Sequence, residues 1–202
     1  MLIEINPQNP QERLIRRVVE ILSRGGVIAY PTDTYYGIGC DILSKRSIEK
    51  IYQIKQRAMG QPFSFICSDL TNISQYAKIS NYAYKTMKRL LPGPYTFVLE
   101  GSRLVPKIML TKRKSAGIRV PDHPICIALV KTLGNPIIST SATLPDGTPF
   151  SHPSLIHDHF GTRIDAVIDG GPVPGKPSSV ISLIGDTPEV IRKGLGDVSL
   201  FA

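Results

Sequence analysis

Hydrophobic residues follow two spacings along the chain, and the two spacings alternate. Leu14, Val18 and Leu22 recur at helical spacing, and the pair Gly25-Gly26 that follows is a typical helix stop. The apolar run directly after this pair favours a strand. By these criteria we predict helices over 13–24, 44–57, 81–91, 125–133 and 153–160, and strands over 27–29, 63–67, 95–99, 117–120, 137–138, 166–168, 179–183 and 189–192. Such alternation predicts an α/β or α+β fold.

The composition is that of a globular protein. With 202 residues, 42% of them hydrophobic, the chain can bury a sizeable core, and one domain spanning 1–202 is expected. No apolar run approaches the roughly 20 residues of a membrane span. Met1 to Pro10 also lacks a signal-peptide pattern, so we expect a cytoplasmic protein without membrane contact. Cys40, Cys67 and Cys126 stand in apolar surroundings without paired spacing, which favours buried thiols.

The net charge of +8 is unevenly distributed. Up to Lys131 there are 20 Lys and Arg against 9 Asp and Glu, whereas the remainder has 4 against 7. A positive field of this kind raises encounter rates with polyanions, so a phosphate-bearing substrate or a weak, non-specific RNA partner is expected. The densest basic run is Lys112-Arg113-Lys114, for which both a solvated loop and a nucleic-acid contact stay open.

Two motifs resemble functional sites but fail on inspection. The run from Gly170 to Lys176 fits the start of a P-loop, yet Pro177 stands where a magnesium-binding hydroxyl is required, and a strand pattern follows in place of a helix. His152, His157 and His159 resemble a metal cluster by number only. A solvated helix face explains them better, because side chains at positions i and i+2 of a helix point in different directions. No metal-ligating residues are predicted.

The most informative stretch is Tyr30 to Gly39, which follows the predicted strand at 27–29. Pro31 ends the strand's hydrogen-bond ladder, and the Thr32 and Thr34 hydroxyls follow it. Gly37 and Gly39 are expected to let backbone N–H groups approach an anion. Lys55 and Arg57 close the helix predicted over 44–57 and add two cations. Together these residues predict a site for a carboxylate or a phosphate.

Other polar clusters repeat this pattern of an apolar strand followed by Ser, Thr, Gly or Arg. Sites in α/β sheets are commonly built from such strand ends. The clusters are Pro92 to Thr96, Arg119, Ser139 to Thr143, Ser178-Ser179 and Arg192. No Ser/His/Asp order, Cys/His pair or carboxylate dyad accompanies them. The predicted chemistry is therefore positioning and charge neutralisation.

These clusters resemble, in order, the motifs of a known family. Tyr30 to Gly39 is similar to Y-P-T-[DE]-T-x-Y-G-[LI]-G, Ile54 to Arg57 to I-K-x-R, Pro92 to Thr96 to P-G-P-[FYW]-T, and Gly117 to Pro124 to G-I-R-x-P-x-H-P. Ser139 to Ala142, Ile168 to Gly171, Ser178 to Ile181 and Ile191 to Gly194 continue the series. The resemblance covers about residues 10–195 and is to the YrdC-like family. It implies an α/β fold with a twisted mixed sheet, flanking helices and a basic concave surface.

The resemblance also implies a reaction. Family members join L-threonine, bicarbonate and ATP into threonylcarbamoyl-AMP and pyrophosphate, and partner proteins transfer the threonylcarbamoyl group to adenosine 37 of tRNA. ATP is then a substrate that arrives with Mg²⁺, and no permanently bound cofactor is expected. Lys55 and Arg57 are the implied catalytic cations, and Thr34 and Ser141 would contact threonine or nucleotide. The other implied binding residues are Thr32, Tyr36, Arg119, Ser139, Thr143, Ser179 and Arg192.

Several positions depart from the family pattern. Thr143 stands where the family has Asn, Ala58 stands where Pro follows K-x-R, and Ile66-Cys67 replaces a histidine found in many members. Residues 5–10, Lys112-Arg113-Lys114 and Cys67 resemble the YciO branch of the family. Three functions stay open: an active synthase, a YciO-type paralogue with weak, reversed or altered adenylate chemistry, and a double-stranded RNA-binding protein without catalysis.

Overall fold

The computed structural model describes residues 1–58, 62–71, 73–106, 115–150 and 152–201. The basic run Lys112-Arg113-Lys114 lies outside these ranges. The helices are α1 (Glu12–Ser23), α2 (Lys45–Ile54), α3 (Ile73–Tyr76), α4 (Asn81–Leu90), α5 (Pro124–Leu133) and α6 (Pro153–Phe160). The strands are β1 (Leu2–Glu4), β2 (Ile28–Tyr30), β3 (Gly37–Asp41), β4 (Ser64–Ile66), β5 (Ala77–Lys78), β6 (Tyr95–Gly101), β7 (Ser115–Arg119), β8 (Ile137–Ser141), β9 (Ala166–Asp169), β10 (Ser179–Ser182) and β11 (Glu189–Arg192).

The strands form one twisted mixed sheet flanked by helices, which confirms the predicted fold class. The strand order is β1-β9-β2-β3-β8-β4-β7-β6-β10-β11, with β5 paired to β6. The pairs β1–β9, β9–β2, β4–β7 and β6–β10 are parallel, and the other pairs are antiparallel. Parallel pairs need long crossovers, so helices lie on both faces of the sheet.

The two faces of the sheet contribute to two apolar cores. On one face, α1 and α5 pack through Val18 and Leu129 against strand residues such as Ile28. On the other face, α2, α4 and α6 pack against residues such as Phe97 of β6. The strand residues that meet α1 and α5 come from β1, β9, β2, β8 and β4 in the described part of the chain. These two helices therefore leave the region toward β7, β6 and β10 open on their face.

The helix predicted over 44–57 ends three residues early, at Ile54. Arg57 N donates to Tyr52 O and Gln56 N to Gln53 O, a hydrogen-bond pair that closes a helix C-terminus. Gln56 takes the left-handed conformation (φ +50°) that glycine usually occupies there. Because no glycine or proline marks this end, the sequence pattern carried no stop signal. Lys55 and Arg57 therefore lie on either side of a sharp turn, not on a helix.

The glycines of the stretch from Tyr30 to Gly39 serve strand packing. Gly37 and Gly39 belong to β3, a strand that was not predicted from the sequence, and β2 and β8 flank it on both sides. A Cβ on Gly39 would lie 2.6 Å from Ile138 O, and one on Gly37 would lie 3.0 Å from the Tyr30 ring. Both glycines therefore have a packing role, and the expectation that their backbone N–H groups approach an anion stays a prediction. Pro31 does end β2, as predicted.

The predictions for the P-loop-like run, the three histidines and the three cysteines agree with the structure. No helix follows the run from Gly170 to Lys176, since the next regular element is β10. The three histidines near residues 152–159 occupy exposed or half-exposed positions on α6 or at its N-terminus. All three cysteines are buried and free. None of the helices in the described ranges is long and apolar enough to cross a bilayer.

Candidate functional site

A cavity of about 400 Å³ opens on the part of the sheet that α1 and α5 leave uncovered. Its floor is made of small residues from neighbouring strands: Ser139 and Ser141 on β8, Ser64 on β4, Gly117 on β7 and Thr96 on β6. The residues next to them in sequence are large and belong to the opposite core, namely Ile138, Phe65, Ile118 and Phe97. Side chains alternate along a strand, so the hollow forms on one face only.

Strand register joins these small residues into one surface. Ser64 pairs with Ser139 on one side and with Gly117 on the other. A Cβ on Gly117 would meet Ser64 Oγ and Thr96 Cγ2 at 3.3 Å, so glycine keeps the floor low at its centre. The cavity volume lies within the usual range for small-molecule sites, about 300–1,000 Å³.

Three arginines and several hydroxyls line the cavity wall. Arg57 comes from the turn after α2, Arg119 from the end of β7 and Arg192 from the end of β11. The Arg57 guanidinium lies 5.8 Å from the centre of the Phe63 ring, which also lines the cavity. None of the described lining residues is acidic. An excess of cations in a concave, partly desolvated site favours an anionic ligand.

Arg119 is the most constrained of the three arginines. Its Nη2 donates to Asp33 Oδ1 at 2.8 Å and to Thr34 Oγ1 at 2.9 Å, and the side chain is only 12% exposed. Its buried Nε has no hydrogen-bond partner among the residues that the structure describes. A buried donor without a partner costs about 1–3 kcal/mol, so a ligand oxygen bonded there would stabilise the site.

Arg192 is held in the cavity wall by Ser178. Its Nε and Nη2 donate to Ser178 O at 3.0 and 2.8 Å, and Nη2 also lies 3.1 Å from Ser178 Oγ. Thr96 Oγ1 lies 2.8 Å from the same hydroxyl. Burial and the neighbouring Arg119 lower the pKa of Arg192 below its ordinary value. An anion between the two guanidinium groups would favour the charged form of Arg192 again.

Lys55 does not line the cavity and is bonded to Thr143. Its Nζ donates to Thr143 O at 2.9 Å and to Thr143 Oγ1 at 3.2 Å. Burial and the nearby Arg57 lower the pKa of Lys55 to about 8. Lys55 thus ties the end of α2 to the loop after β8. Its partner Thr143 lies two residues after the cavity residue Ser141 in the sequence. Thr143 engages two of the three N–H donors of the ammonium, which leaves one for a further acceptor.

Two tyrosines are held inside the site by hydrogen bonds. Tyr36, which lines the cavity, donates its hydroxyl to Gly171 O at 2.8 Å, and burial raises its pKa to about 12. Tyr30 donates to Ser139 Oγ at 2.6 Å, and burial raises its pKa well above the ordinary value. Both phenols are therefore neutral donors at physiological pH, and neither is placed to act as a base.

The structure brings together most, but not all, of the predicted site residues. Seven of them line the cavity: Thr32, Tyr36, Arg57, Arg119, Ser139, Ser141 and Arg192. Four do not: Thr34 and Lys55, with the contacts given above, Thr143, which accepts from Lys55, and Ser179. The Ser179 hydroxyl donates to Gly196 O and accepts from Gly194 N, and the residue is fully buried. The sequence therefore predicted the wrong one of two neighbouring serines, Ser179 in place of Ser178. Ser178 and Val180 face the cavity, whereas Ser179 and Ile181 face away from it.

Sequence reasoning missed two polar lining residues, Ser64 and Ser115, which lie outside the predicted clusters. Three others, Tyr35, Thr140 and Ser178, lie within predicted clusters but were not assigned as site residues. The available signal was the alternation of small polar with large apolar residues, as in Ser64-Phe65 and Thr96-Phe97. That alternation reads as an ordinary half-buried strand until the neighbouring strands are known. Within the described ranges there is no group of three or more metal-ligating side chains.

Fold and site together define an α/β protein whose mixed sheet presents an arginine-lined cavity. A family model named for Sua5, YciO and YrdC, and described as "Telomere recombination", matches residues 20–194. The chain belongs to this family, which confirms the resemblance seen in the sequence.

Individual relatives agree with this membership. YciO of Escherichia coli K12 is 46% identical over 200 residues, 98% of this chain and 97% of YciO. The crystal structure of E. coli YciO matches with a TM-score of 0.95 and 45% identity over 100% of this chain and 99% of that one. A threonylcarbamoyl-AMP synthase of Vibrio vulnificus is 31% identical over 159 residues, 77% of this chain and 86% of the synthase. The structure of P. abyssi Sua5 complexed with L-threonine matches with a TM-score of 0.90 and 28% identity over 96% of this chain and 57% of Sua5.

Proposed function

We propose that the protein is a threonylcarbamoyl-AMP synthase-like nucleotidyltransferase. It takes L-threonine, bicarbonate and ATP with Mg²⁺, forms threonylcarbamoyl-AMP and pyrophosphate, and serves modification of tRNA position 37 with partner proteins. The observation that carries the proposal is the acid-free cavity lined by Arg57, Arg119 and Arg192. Synthase relatives at about 31% identity and a threonine-bound Sua5 support it.

The proposed reaction needs charge neutralisation more than a protein nucleophile. The amine nitrogen of threonine attacks the carbon of bicarbonate, and a carbamate forms with loss of water. A carbamate oxygen then attacks the α-phosphorus of ATP, so one P–O bond forms while the bond to the leaving pyrophosphate breaks. Three arginines from different elements are suited to hold a triphosphate and a carboxylate at once. The hydroxyls of the floor add donors without introducing a competing negative charge.

The direct test is detection of the product. The protein is mixed with ATP, magnesium, threonine and bicarbonate, and threonylcarbamoyl-AMP is sought by mass spectrometry together with released pyrophosphate. Both products should appear, and omission of threonine or bicarbonate should abolish them. ATP turnover that does not depend on threonine, or no product with the complete mixture, would contradict the proposal.

A second candidate is the YciO-type paralogue with altered adenylate chemistry. The higher identity to YciO, 46% against 31% for the synthase, favours it. So does Thr143, since its hydroxyl and carbonyl accept from Lys55, which does not line the cavity. Thr143→Asn restores the family residue and should raise synthase kcat/KM by roughly tenfold to a hundredfold if the chain is a weakened synthase. If the substitution slows a different adenylate reaction, including the reverse one, the second candidate replaces the first.

A further inference from the structure

Asp33 forms an unusual ion pair beside the cavity. Its side chain is 9% exposed and that of its partner, Arg119, is 12% exposed. In every other ion pair of the described residues, both side chains are at least 35% exposed. Exposed pairs of that kind contribute little and are screened by salt, whereas a buried pair is screened much less.

Both carboxylate oxygens of Asp33 are engaged. Oδ1 accepts from Arg119 Nη2 at 2.8 Å, and Oδ2 accepts from the backbone N–H of Asp122 at 3.1 Å. Thr34 Oγ1 accepts from the same Nη2 at 2.9 Å. Asp33 therefore fastens the turn after β2 to the end of β7 and to the loop that follows. Two acceptors on one nitrogen also restrict rotation of the guanidinium plane.

Asp33 places a negative charge beside a cavity that favours anions. A carboxylate next to an anion site weakens anion binding by repulsion, and none of the described lining residues is acidic. Asp33 is placed where its charge opposes the ligand, but its Oδ1 holds Arg119 Nη2 and leaves Arg119 Nε without a described partner. A structural benefit must offset the repulsion if the site binds anions well.

We propose that Asp33 is a positioning residue that orients Arg119 toward an anionic ligand in the cavity. The inference rests on the proposed function only in taking the ligand to be an anion. If Asp33 acts mainly through its charge, neutralising it strengthens anion binding. If it acts by positioning Arg119, neutralising it weakens anion binding although the site becomes more positive.

Asp33→Asn and a matched control, Asp122→Asn, separate these alternatives. Asp122 is exposed and lies next to Asp33 in the structure. It contacts Asp33 through its backbone N–H and not through its carboxylate. Both substitutions remove one negative charge near Arg119. Isothermal titration of the full chain with ATP and magnesium should show about tenfold weaker binding for Asp33→Asn. Asp122→Asn should bind as wild type or slightly more tightly, and Asp33→Glu should recover part of the loss.

A second measurement does not depend on a ligand. The Nε–H signal of Arg119 in ¹⁵N NMR spectra should report a restricted guanidinium in the wild type and a freely rotating one in Asp33→Asn. Thermal melting curves serve as the control that both proteins are folded. If wild type binds no ATP, the proposed function fails while the NMR comparison still decides the role of Asp33. Equal or tighter ATP binding by Asp33→Asn, or an unchanged Arg119 signal, overturns the inference.

Discussion

Raising the pH should weaken nucleotide binding through Lys55. Burial and Arg57 hold the pKa of the free Lys55 ammonium at about 8, against an ordinary value of 10.5. An anion that pairs with this ammonium raises its pKa again, because an opposite charge favours the protonated form. Binding is then linked to proton uptake above pH 8, so affinity falls as the pH rises.

The size of the effect follows from the free pKa. Between pH 7 and pH 9, the protonated fraction of free Lys55 falls from about nine-tenths to about one-tenth. If the bound ammonium stays protonated throughout, ATP affinity falls about tenfold over this range. The effect requires that the Lys55 ammonium pairs with ATP, although it now donates hydrogen bonds to the Thr143 carbonyl and hydroxyl.

The assay is titration of ATP and magnesium at several pH values, with Lys55→Arg as the control. The guanidinium of the variant stays charged across the range, so its affinity should change only through ionisation of ATP itself. The difference between the two pH profiles isolates Lys55. Parallel profiles for wild type and Lys55→Arg would refute the reasoning and would leave Lys55 as a tie between α2 and the loop after β8.

Four further outcomes are expected. Arg57→Lys should weaken ATP binding by tenfold or more in calorimetry, since an ammonium cannot reproduce the planar fork of a guanidinium, whereas Arg163→Lys, remote from the cavity lining, should have no effect. Gly39→Ala should lower the free energy of unfolding in urea by about 1–3 kcal/mol, because the new Cβ meets a backbone oxygen at 2.6 Å; an unchanged midpoint would contradict the packing role of this glycine. Gln56→Gly should raise the same free energy by about 1 kcal/mol by relieving the left-handed backbone, a gain that Gln56→Ala should not show. RNA binding, if it rests on the excess positive charge of the first 131 residues, should weaken with salt along a steep log-log slope, and a flat slope would remove the electrostatic explanation.

The sequence by itself determined the order of most elements, all but β1, β3, α3 and β5, and most of the polar residues at strand ends. Apolar periodicity located α1, α4, α5 and α6 to within about one residue at each end, since those helices bury one face and three of them end at a cap or stop signal. The ordered motifs also indicated the family, because they recur over nearly the whole chain. These signals are local, and each is readable within a window of a few residues.

Tertiary structure decided which of those residues meet in the cavity. The early end of α2 depends on Gln56 in a conformation that its residue type does not announce. Ser178 rather than Ser179 faces the cavity because β10 pairs with β6 in one register, and a shift of one residue exchanges the two faces. The pairing of Asp33 with Arg119 joins residues 86 positions apart. The hollow itself arises from small residues on neighbouring strands whose order in the sheet differs from their order in the chain, so no local pattern records it.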